Sequence, residues 1–235
     1  MKPFIQKFGI TIYLLILMLH LFAQLLGYTS IQYGSKLVLL PLLMLFFYVQ
    51  PFFASAANTK YLILVGLFGS FLGDAFLLSD ALFIPGMIAF MTTHIFNILF
   101  FHPLKPKVGE SKMKLYVSIL LLAAFCAFVY FFLKDAMDAL IYPILVYMIL
   151  ISTAALYTVR ASLNSKANKI ADLFWTPGML FFIASDAVLA FNKFHWSIQS
   201  PIDNIGLVTM ATYGIAQMLL VKGFQLYFSK QEKLF

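Results

Sequence analysis

Residues 61–79 read YLILVGLFGSFLGDAFLLS, and Asp74 is the one charged side chain among them. An α-helix needs about 20 consecutive apolar residues to cross a hydrocarbon core roughly 30 Å thick. The stretch is therefore typical of a transmembrane helix. The aspartate within it requires a physical or functional reason, because ionisable groups are costly in hydrocarbon.

The rest of the chain has the same apolar character. Of its 235 residues, 63% are hydrophobic and 11% are charged, which excludes an ordinary soluble domain and a disordered chain. The apolar runs are continuous, whereas β-barrel strands alternate apolar and polar residues. We predict an all-α polytopic membrane protein with eight transmembrane helices, at 8–27, 35–53, 61–79, 84–102, 114–133, 138–159, 171–191 and 204–227.

The basic residues are distributed unequally between the two predicted sides of the membrane. Of 16 Lys and Arg residues, only Lys36, Lys134 and Lys193 fall on one side. The positive-inside rule then predicts that the N- and C-termini are cytoplasmic. The net charge of +7 is explained by this asymmetry and by attraction to anionic lipid, so nucleic acid binding is not indicated. The pattern fits a bacterial inner (cell) membrane, or the endoplasmic reticulum if the host is eukaryotic.

Two further features concern processing and redox chemistry. The first apolar stretch is as long as a full crossing and lacks a clear cleavage site, so we expect a retained helix. Cys126 is the single cysteine, which excludes an internal disulfide and a thiolate metal cluster. We expect no metal and no other cofactor.

A short internal repeat joins the third and seventh predicted helices. At an offset of 112, the pattern G-x6-small-D-A-x-L of residues 66–77 recurs at 178–189. The second and sixth helices also share a charged residue five positions before a proline, at Lys36 and Asp138. We interpret residues 1–235 as a single membrane domain in which 1–110 and 111–235 are candidate repeats, two parallel four-helix units. Chance similarity is the alternative.

Asp74 and Asp186 are the two carboxylates predicted within the membrane. Each costs roughly 2.5–3.5 kcal/mol on insertion scales, and each lies about 20 Å from the cytoplasmic start of its predicted helix. Two carboxyl groups held together in a low dielectric do not both ionise, so one keeps its proton. The pair, an aspartate dyad, would then supply an acid and an anion, as in glycoside hydrolysis, and its membrane substrate would be a lipid ether or acetal.

Other polar residues fall in the same predicted layer. His20, His94 and Tyr213 all come within roughly 8–15 Å of the outer surface when the helices are laid out by length. Lys36 lies at the outer boundary, where a cation can reach lipid phosphates. The alternative is that these groups are buried structural pairs that fix the packing of the helices.

Four motifs in order resemble the YhhN-like lysoplasmalogenase family. They are GDAFLL at 73–78, FIPGMIAFMTTH at 83–94, SDAVLAF at 185–191 and TYGIAQ at 212–217. The resemblance covers essentially the whole chain and implies an eight-helix membrane hydrolase. It implies cleavage of the sn-1 vinyl ether of a lysophospholipid, a lysoplasmalogen, to a fatty aldehyde and glycerophosphoethanolamine or glycerophosphocholine.

The resemblance and the residues together predict the site. We expect Asp74 and Asp186 to protonate the vinyl ether and stabilise the cation, and which of them is the acid stays open. We expect His94 and Tyr213 to orient a carboxyl group or the attacking water. The candidate substrate-binding residues are Lys36, for the phosphate, His20 and Gln217. The partners are the lysophospholipid and membrane lipid, and the sequence makes no prediction of oligomeric state.

Two other functions remain open at this point. A metal-dependent membrane hydrolase would place zinc between His and Asp residues, with His20 and His94 as the histidines at suitable depth. A proton-coupled transporter of lipids or small molecules would use the same aspartates as a proton relay. The concentration of polar groups in one layer favours the ether hydrolase over the transporter.

Overall fold

The computed structural model describes residues 2–51, 57–196 and 204–232, without the side chains of 57–58 and 230–232. Its long helices are α1 (Lys2–Leu25), α2 (Thr29–Tyr48), α3 (Ala57–Phe76), α4 (Phe83–Phe101), α5 (Met113–Met137), α6 (Ile141–Ala161), α7 (Thr176–Phe191) and α8 (Ile205–Glu232). Within the described residues there is no β-strand. The predicted all-α class is therefore confirmed.

The helices have the length and composition of membrane spans. Seven helical stretches are long and apolar enough to cross a bilayer, and one of them, Met113–Ala161, contains both α5 and α6. Many large apolar side chains are exposed on these helices, for example Leu120 at 70% and Ile149 at 65%. In water such a surface would be an aggregation hazard, whereas in lipid it is the expected exterior. The chain is a polytopic α-helical membrane protein.

The second helix differs from its predicted position. It begins at Thr29, six residues before the predicted start at 35, and ends at Tyr48, while 52 and 53 of the predicted range lie outside the described residues. The early start follows from a tight turn after α1, in which Gly27 has φ +75°. Glycine adopts this left-handed conformation without steric cost, so α2 can begin almost where α1 ends, although its first turn is polar.

Two other boundaries depend on special backbone geometry. Asp138 has φ 45° and is the first residue of a short 3₁₀ turn, Asp138–Leu140. This turn lies between the end of α5 and the start of α6. The seventh predicted helix is composite, because a π-helical turn, Ala171–Trp175, precedes α7. Pro177 has no N–H to donate to the carbonyl group four residues earlier, and a π turn is one way for a helix to accommodate that loss.

The chain divides into two compact units. The first comprises the described residues of Met1–Phe100 and Met218–Phe235, and the second comprises those of Phe101–Gln217. In the first unit α1 packs against α2 and α2 against α3. Aromatic rings fill its core, where the centroids of Phe100 and Phe224 lie 4.8 Å apart and those of Phe47 and Phe228 6.0 Å apart.

Close contact between α3 and α4 depends on small residues. A Cβ atom added at Gly69 would lie 2.9 Å from the Ala89 carbonyl oxygen and 2.9 Å from Thr93 Oγ1. Thr93 in turn donates its hydroxyl hydrogen to the carbonyl oxygen of Gly66 at 2.9 Å. The glycine-bearing side of α3 is therefore a helix contact, as expected where backbones approach closely in a membrane.

In the second unit α5 packs against α6, and α6 against α7. The rings of Phe101 and Trp175 lie 5.0 Å apart, edge to face. The segment between α4 and α5 is fixed by hydrogen bonds to the residues after α6, including Lys107 N–H to the Leu163 carbonyl oxygen at 2.8 Å. These contacts hold α5, α6 and α7 as one helical group.

We expect Gly69→Ala to destabilise the protein by about 1–3 kcal/mol, because the new methyl group meets backbone atoms of α4 that cannot move aside cheaply. The matched control is Gly34→Ala in α2, where an added Cβ meets no atom within 4 Å. That control should be neutral or slightly stabilising, since alanine favours a helix over glycine. Thermal unfolding in detergent measures both, and equal melting temperatures would contradict the proposed close packing.

Candidate active site

Asp74 lies near the C-terminal end of α3 and has an ionic partner on α2. Its side chain is 4% exposed, and Lys36 Nζ lies 3.8 Å from its Oδ1 atom. Tyr13 of α1 is close enough to interact with Asp74 electrostatically. A buried carboxylate is expected to have such a partner, because an unpaired charge in a low dielectric costs several kcal/mol.

His20 lies on α1, the helix before the one that carries Lys36, and is fully buried. Its Nδ1 atom lies 3.0 Å from the Ser35 hydroxyl oxygen and 3.1 Å from the Gln32 carbonyl oxygen. Ser35 is the residue before Lys36, so α2 presents its contacts with His20 and Asp74 from adjacent positions. Among the described residues, His20 Nε2 and Gln24 Oε1 have no hydrogen-bond partner. These two atoms retain hydrogen-bonding capacity for a polar group.

His94 is fully buried on α4, directly after a threonine that joins α3 and α4. The hydroxyl oxygen of Thr93 lies 3.0 Å from that of Ser70, which is one helical turn before Asp74. The first unit therefore contains four of the predicted site residues, namely Lys36, Asp74, His20 and His94.

Asp186 lies on α7 in the second unit and has a partner that the sequence did not predict. The Tyr147 hydroxyl group of α6 donates a hydrogen bond to Asp186 Oδ2 at 2.5 Å. Asp186 lines a small cavity of about 70 Å³, whose other lining side chains are mostly apolar. The two aspartates thus have different surroundings, because one faces a cation and the other a neutral hydroxyl donor.

Tyr213 and Gln217 lie on α8 and belong to the second unit, and both are buried. The ring of Tyr213 packs edge to face against Phe182, with centroids 5.5 Å apart. Close by in sequence, Ser185 donates its hydroxyl hydrogen to the Thr209 carbonyl oxygen at 2.9 Å. These contacts attach α8 to the part of α7 that carries Asp186.

Each unit therefore gathers its own subset of the predicted residues. The first unit holds Asp74, Lys36, His20 and His94, and the second holds Asp186, Tyr213 and Gln217. The pairing of the two aspartates as a dyad stays a prediction. In the described part of the chain, no three His, Cys, Asp or Glu residues lie close enough together to hold a metal ion.

Tyr147 is the residue that sequence reasoning missed. Lys36 lies seven residues after Thr29, the start of α2, and Tyr147 lies six residues after Ile141, the start of α6. In each unit the aspartate thus meets a polar side chain at nearly the same position of the preceding long helix. The offset of 112 between the candidate repeats pairs Lys36 with position 148, one residue from Tyr147, whereas the proline match pairs it with Asp138. A search of α6 around position 148 could have identified the tyrosine.

Comparison with known protein families agrees with the four ordered motifs. The sequence profile described as the YhhN family matches residues 31–224, a range that includes both aspartates, Lys36, His94, Tyr147, Tyr213 and Gln217. The chain belongs to the YhhN family. The resemblance noted in the sequence is confirmed.

Two human proteins are similar to this YhhN protein. Lysoplasmalogenase TMEM86A from Homo sapiens is 33% identical over 168 residues, which are 67% of this chain and 62% of the relative. Lysoplasmalogenase TMEM86B from Homo sapiens is 31% identical over 151 residues, 64% of this chain and 58% of the relative. The chain thus spans about three-fifths of the length of these relatives. No solved structure matches it significantly.

We expect Lys36→Met in this YhhN protein to lower stability by about 3 kcal/mol, because it leaves the buried carboxylate of Asp74 without its cation. Lys112→Met is the matched control, since Lys112 is exposed just before α5. The double variant Lys36→Met/Asp74→Asn should recover part of the loss, because no unpaired charge remains. Melting temperatures in detergent give the comparison, and a Lys36→Met protein as stable as Lys112→Met would show that the ion pair contributes nothing.

Proposed function

We propose that this YhhN-family protein is a lysoplasmalogenase that hydrolyses the sn-1 vinyl ether of lysoplasmenylethanolamine or lysoplasmenylcholine. The observation that carries the proposal is Asp186, a carboxyl group at a mostly apolar cavity with the Tyr147 hydroxyl group as hydrogen-bond partner. The names of the two human relatives support the same reaction. The products are a fatty aldehyde and a glycerophosphoethanolamine or glycerophosphocholine.

The reaction needs an acid and an anion. A carboxylic acid transfers its proton to the β-carbon of the enol ether, and the ether oxygen stabilises the resulting oxocarbenium ion. Water adds to the cationic carbon and loses a proton, which gives a hemiacetal. The hemiacetal then breaks its bond to the glycerol oxygen, which takes up a proton as the aldehyde forms. A fixed negative charge favours the cationic step, as in glycoside hydrolysis.

The surroundings of the two aspartates suggest how these roles divide. Lys36 favours the ionised form of Asp74, since an opposite charge nearby stabilises a carboxylate. Tyr147 is neutral, and a neutral hydroxyl group compensates a carboxylate charge less than an ammonium group does. We therefore assign Asp186 as the proton donor and Asp74 as the anion, with Tyr147 holding the Asp186 carboxyl in position. His94 and Tyr213 keep their proposed roles in orienting water or a carboxyl group, and His20 and Gln217 theirs in binding substrate.

The proposed topology has eight membrane crossings with both termini in the cytoplasm. Helices α5 and α6 have 25 and 21 residues, each enough for one crossing. They pack against each other after the break at Asp138, which supports two antiparallel crossings in place of one very long helix. With this orientation Asp74 and Asp186 lie nearer the outer surface, where the vinyl ether of an outer-leaflet lysolipid would reach them. The two units would then derive from parallel repeats.

The first test of function compares two substrates. Purified protein in detergent should release fatty aldehyde from lysoplasmenylethanolamine and none from the saturated alkyl-ether analogue, because only an enol ether is cleaved through protonation of carbon. Chelation should leave the rate unchanged. Loss of activity on chelation, with recovery on adding zinc, would favour the metal-dependent hydrolase. Absence of aldehyde, together with lysolipid uptake into sealed vesicles, would favour the transporter.

The second test addresses the carboxyl groups. Asp186→Asn and Asp74→Asn should each lower aldehyde release by about 10²–10⁴-fold, the typical contribution of a general acid or base. Tyr147→Phe should lower it about tenfold, the value of one hydrogen bond. Asp135→Asn is the matched control, because Asp135 is exposed near the end of α5. Melting temperatures exclude misfolding, and wild-type turnover in either of the first two variants would refute the assignment.

A further inference from the structure

An apolar crevice of about 580 Å³ lies within the second unit, between α5, α6 and α7. Ser118, Thr176 and the indole of Trp196 supply its polar groups, and the rest of the lining is hydrocarbon. A volume of this size falls within the range of small-molecule sites. Because polar ligands are poorly solvated by such a lining, the crevice suits a hydrocarbon chain.

The crevice adjoins the cavity that contains Asp186 and shares part of its lining. Phe125, Ile183 and Ala187 line both the crevice and the small cavity that contains Asp186 and Tyr147. Ala187 is the residue directly after Asp186, so the α7 surface that bears the carboxyl group leads into the crevice. A chain in the crevice would therefore have one of its ends beside Asp186.

The crevice also has a suitable length. Thr176 lines one end of it on α7, ten residues before Asp186, which is about 15 Å at 1.5 Å per residue. That distance is about half of a roughly 30 Å hydrocarbon core, the depth that one lipid chain occupies in its own leaflet. On the far side of Asp186 from Thr176, the crevice is lined by Phe191, the last residue of α7, and by Trp196, which follows the helix. Their ring centroids lie 5.4 Å apart.

We propose that this crevice binds the alkenyl chain of the substrate, with the chain end toward Thr176 and the vinyl ether at Asp186. The inference rests on the proposed function and adds the site that selects the length of the hydrocarbon chain. The headgroup would leave the crevice at the end lined by Phe191 and Trp196, where aromatic side chains are typical of a membrane interface.

A second groove competes for this role. It has a volume of about 410 Å³ and is lined by residues of α5 and α6 alone. Cys126, Met148 and Ser152 line both this groove and the Asp186 cavity, and the Sγ atom of Cys126 lies 3.2 Å from the Oγ atom of Ser152. This contact joins α5 and α6 where the groove and the cavity share their lining. The crevice also shares three lining residues with the Asp186 cavity, but two of them, Ile183 and Ala187, belong to α7, the helix that carries Asp186, so it is the better chain site.

A bulky residue near the chain end tests the proposal through chain-length selectivity. Ser118 lines the crevice seven residues before Phe125, about 10 Å along α5. Ser118→Phe should therefore lower the ratio of kcat/KM for hexadecenyl to octenyl lysoplasmenylethanolamine about tenfold or more, because only the long chain reaches that position. Leu120→Phe is the matched control, since Leu120 is 70% exposed on the same helix and does not belong to the crevice lining.

The outcomes separate this inference from the proposed function. A fall in the ratio for Ser118→Phe alone supports the crevice. An unchanged ratio, or an equal fall for Leu120→Phe, overturns it while aldehyde release still supports the hydrolase. If the wild type releases no aldehyde from either substrate, the proposed function fails and a binding measurement decides the inference.

That measurement uses a non-cleavable alkyl-ether lysolipid with a photoreactive diazirine at the end of its chain. In the wild-type protein, cross-links should map to peptides that contain Ser118 or Leu180, and unlabelled hexadecenyl substrate should compete for them. Labelling in the α5–α6 groove, labelling in the groove formed by Pro41, Leu64 and Phe68, or labelling that resists competition as bulk lipid would overturn the proposal. Because this readout does not depend on turnover or on a variant, it remains decisive if Ser118→Phe fails to fold.

Discussion

A carboxylate in hydrocarbon must be compensated by another group, and this constraint organises both units of the protein. On insertion scales an unpaired charge costs roughly 2.5–3.5 kcal/mol, so each aspartate has a side-chain partner on another helix. For Asp74 the partner is the ammonium group of Lys36 on α2, and for Asp186 it is the hydroxyl group of Tyr147 on α6. Because the hydrocarbon offers no other polar partner, these contacts also fix how the neighbouring helices pack.

The two partners differ in charge, and the proposed acid and anion roles rest on that difference. A full positive charge stabilises an anion more than a neutral hydroxyl group does, so in the proposed mechanism Asp74 is the anion and Asp186 the proton donor. Lys36 and Tyr147 therefore differ in more than shape, because Lys36 brings a positive charge to Asp74 and Tyr147 brings a neutral hydroxyl group to Asp186. Under that proposal an acid and an anion arise from the same residue type in the same apolar medium, because the neighbouring side chains differ.

The sequence predicted most of the fold, because hydrophobic length is a direct physical requirement of the bilayer. Six predicted helix ranges fall within about five residues of the observed helices, whereas α1 and α2 each begin six residues before their predicted starts. The start of α2 was placed late because its first turn, TSIQYG, is polar, and hydropathy does not register a helix turn outside the hydrocarbon. The π turn before α7 was missed because it depends on how Pro177 is accommodated. Asp74, Asp186, Lys36 and His94 could be selected because a polar residue in an apolar run is visible in sequence, whereas the contact of Tyr147 with Asp186 requires the packing of α6 on α7.

The same reasoning explains why a site for the hydrocarbon chain is invisible in the sequence. The lining of the crevice between α5, α6 and α7 consists mainly of Leu, Ile, Val, Ala and Phe, the residue types found on every lipid-facing surface of this chain. Composition therefore does not distinguish a substrate site from a surface that contacts bulk lipid. What distinguishes the crevice is that it runs along α7, the helix that carries Asp186, so a chain bound there would have one end beside that carboxyl group. Selectivity for chain length would follow from the distance between Asp186 and Thr176, a property of helix geometry and not of any single residue.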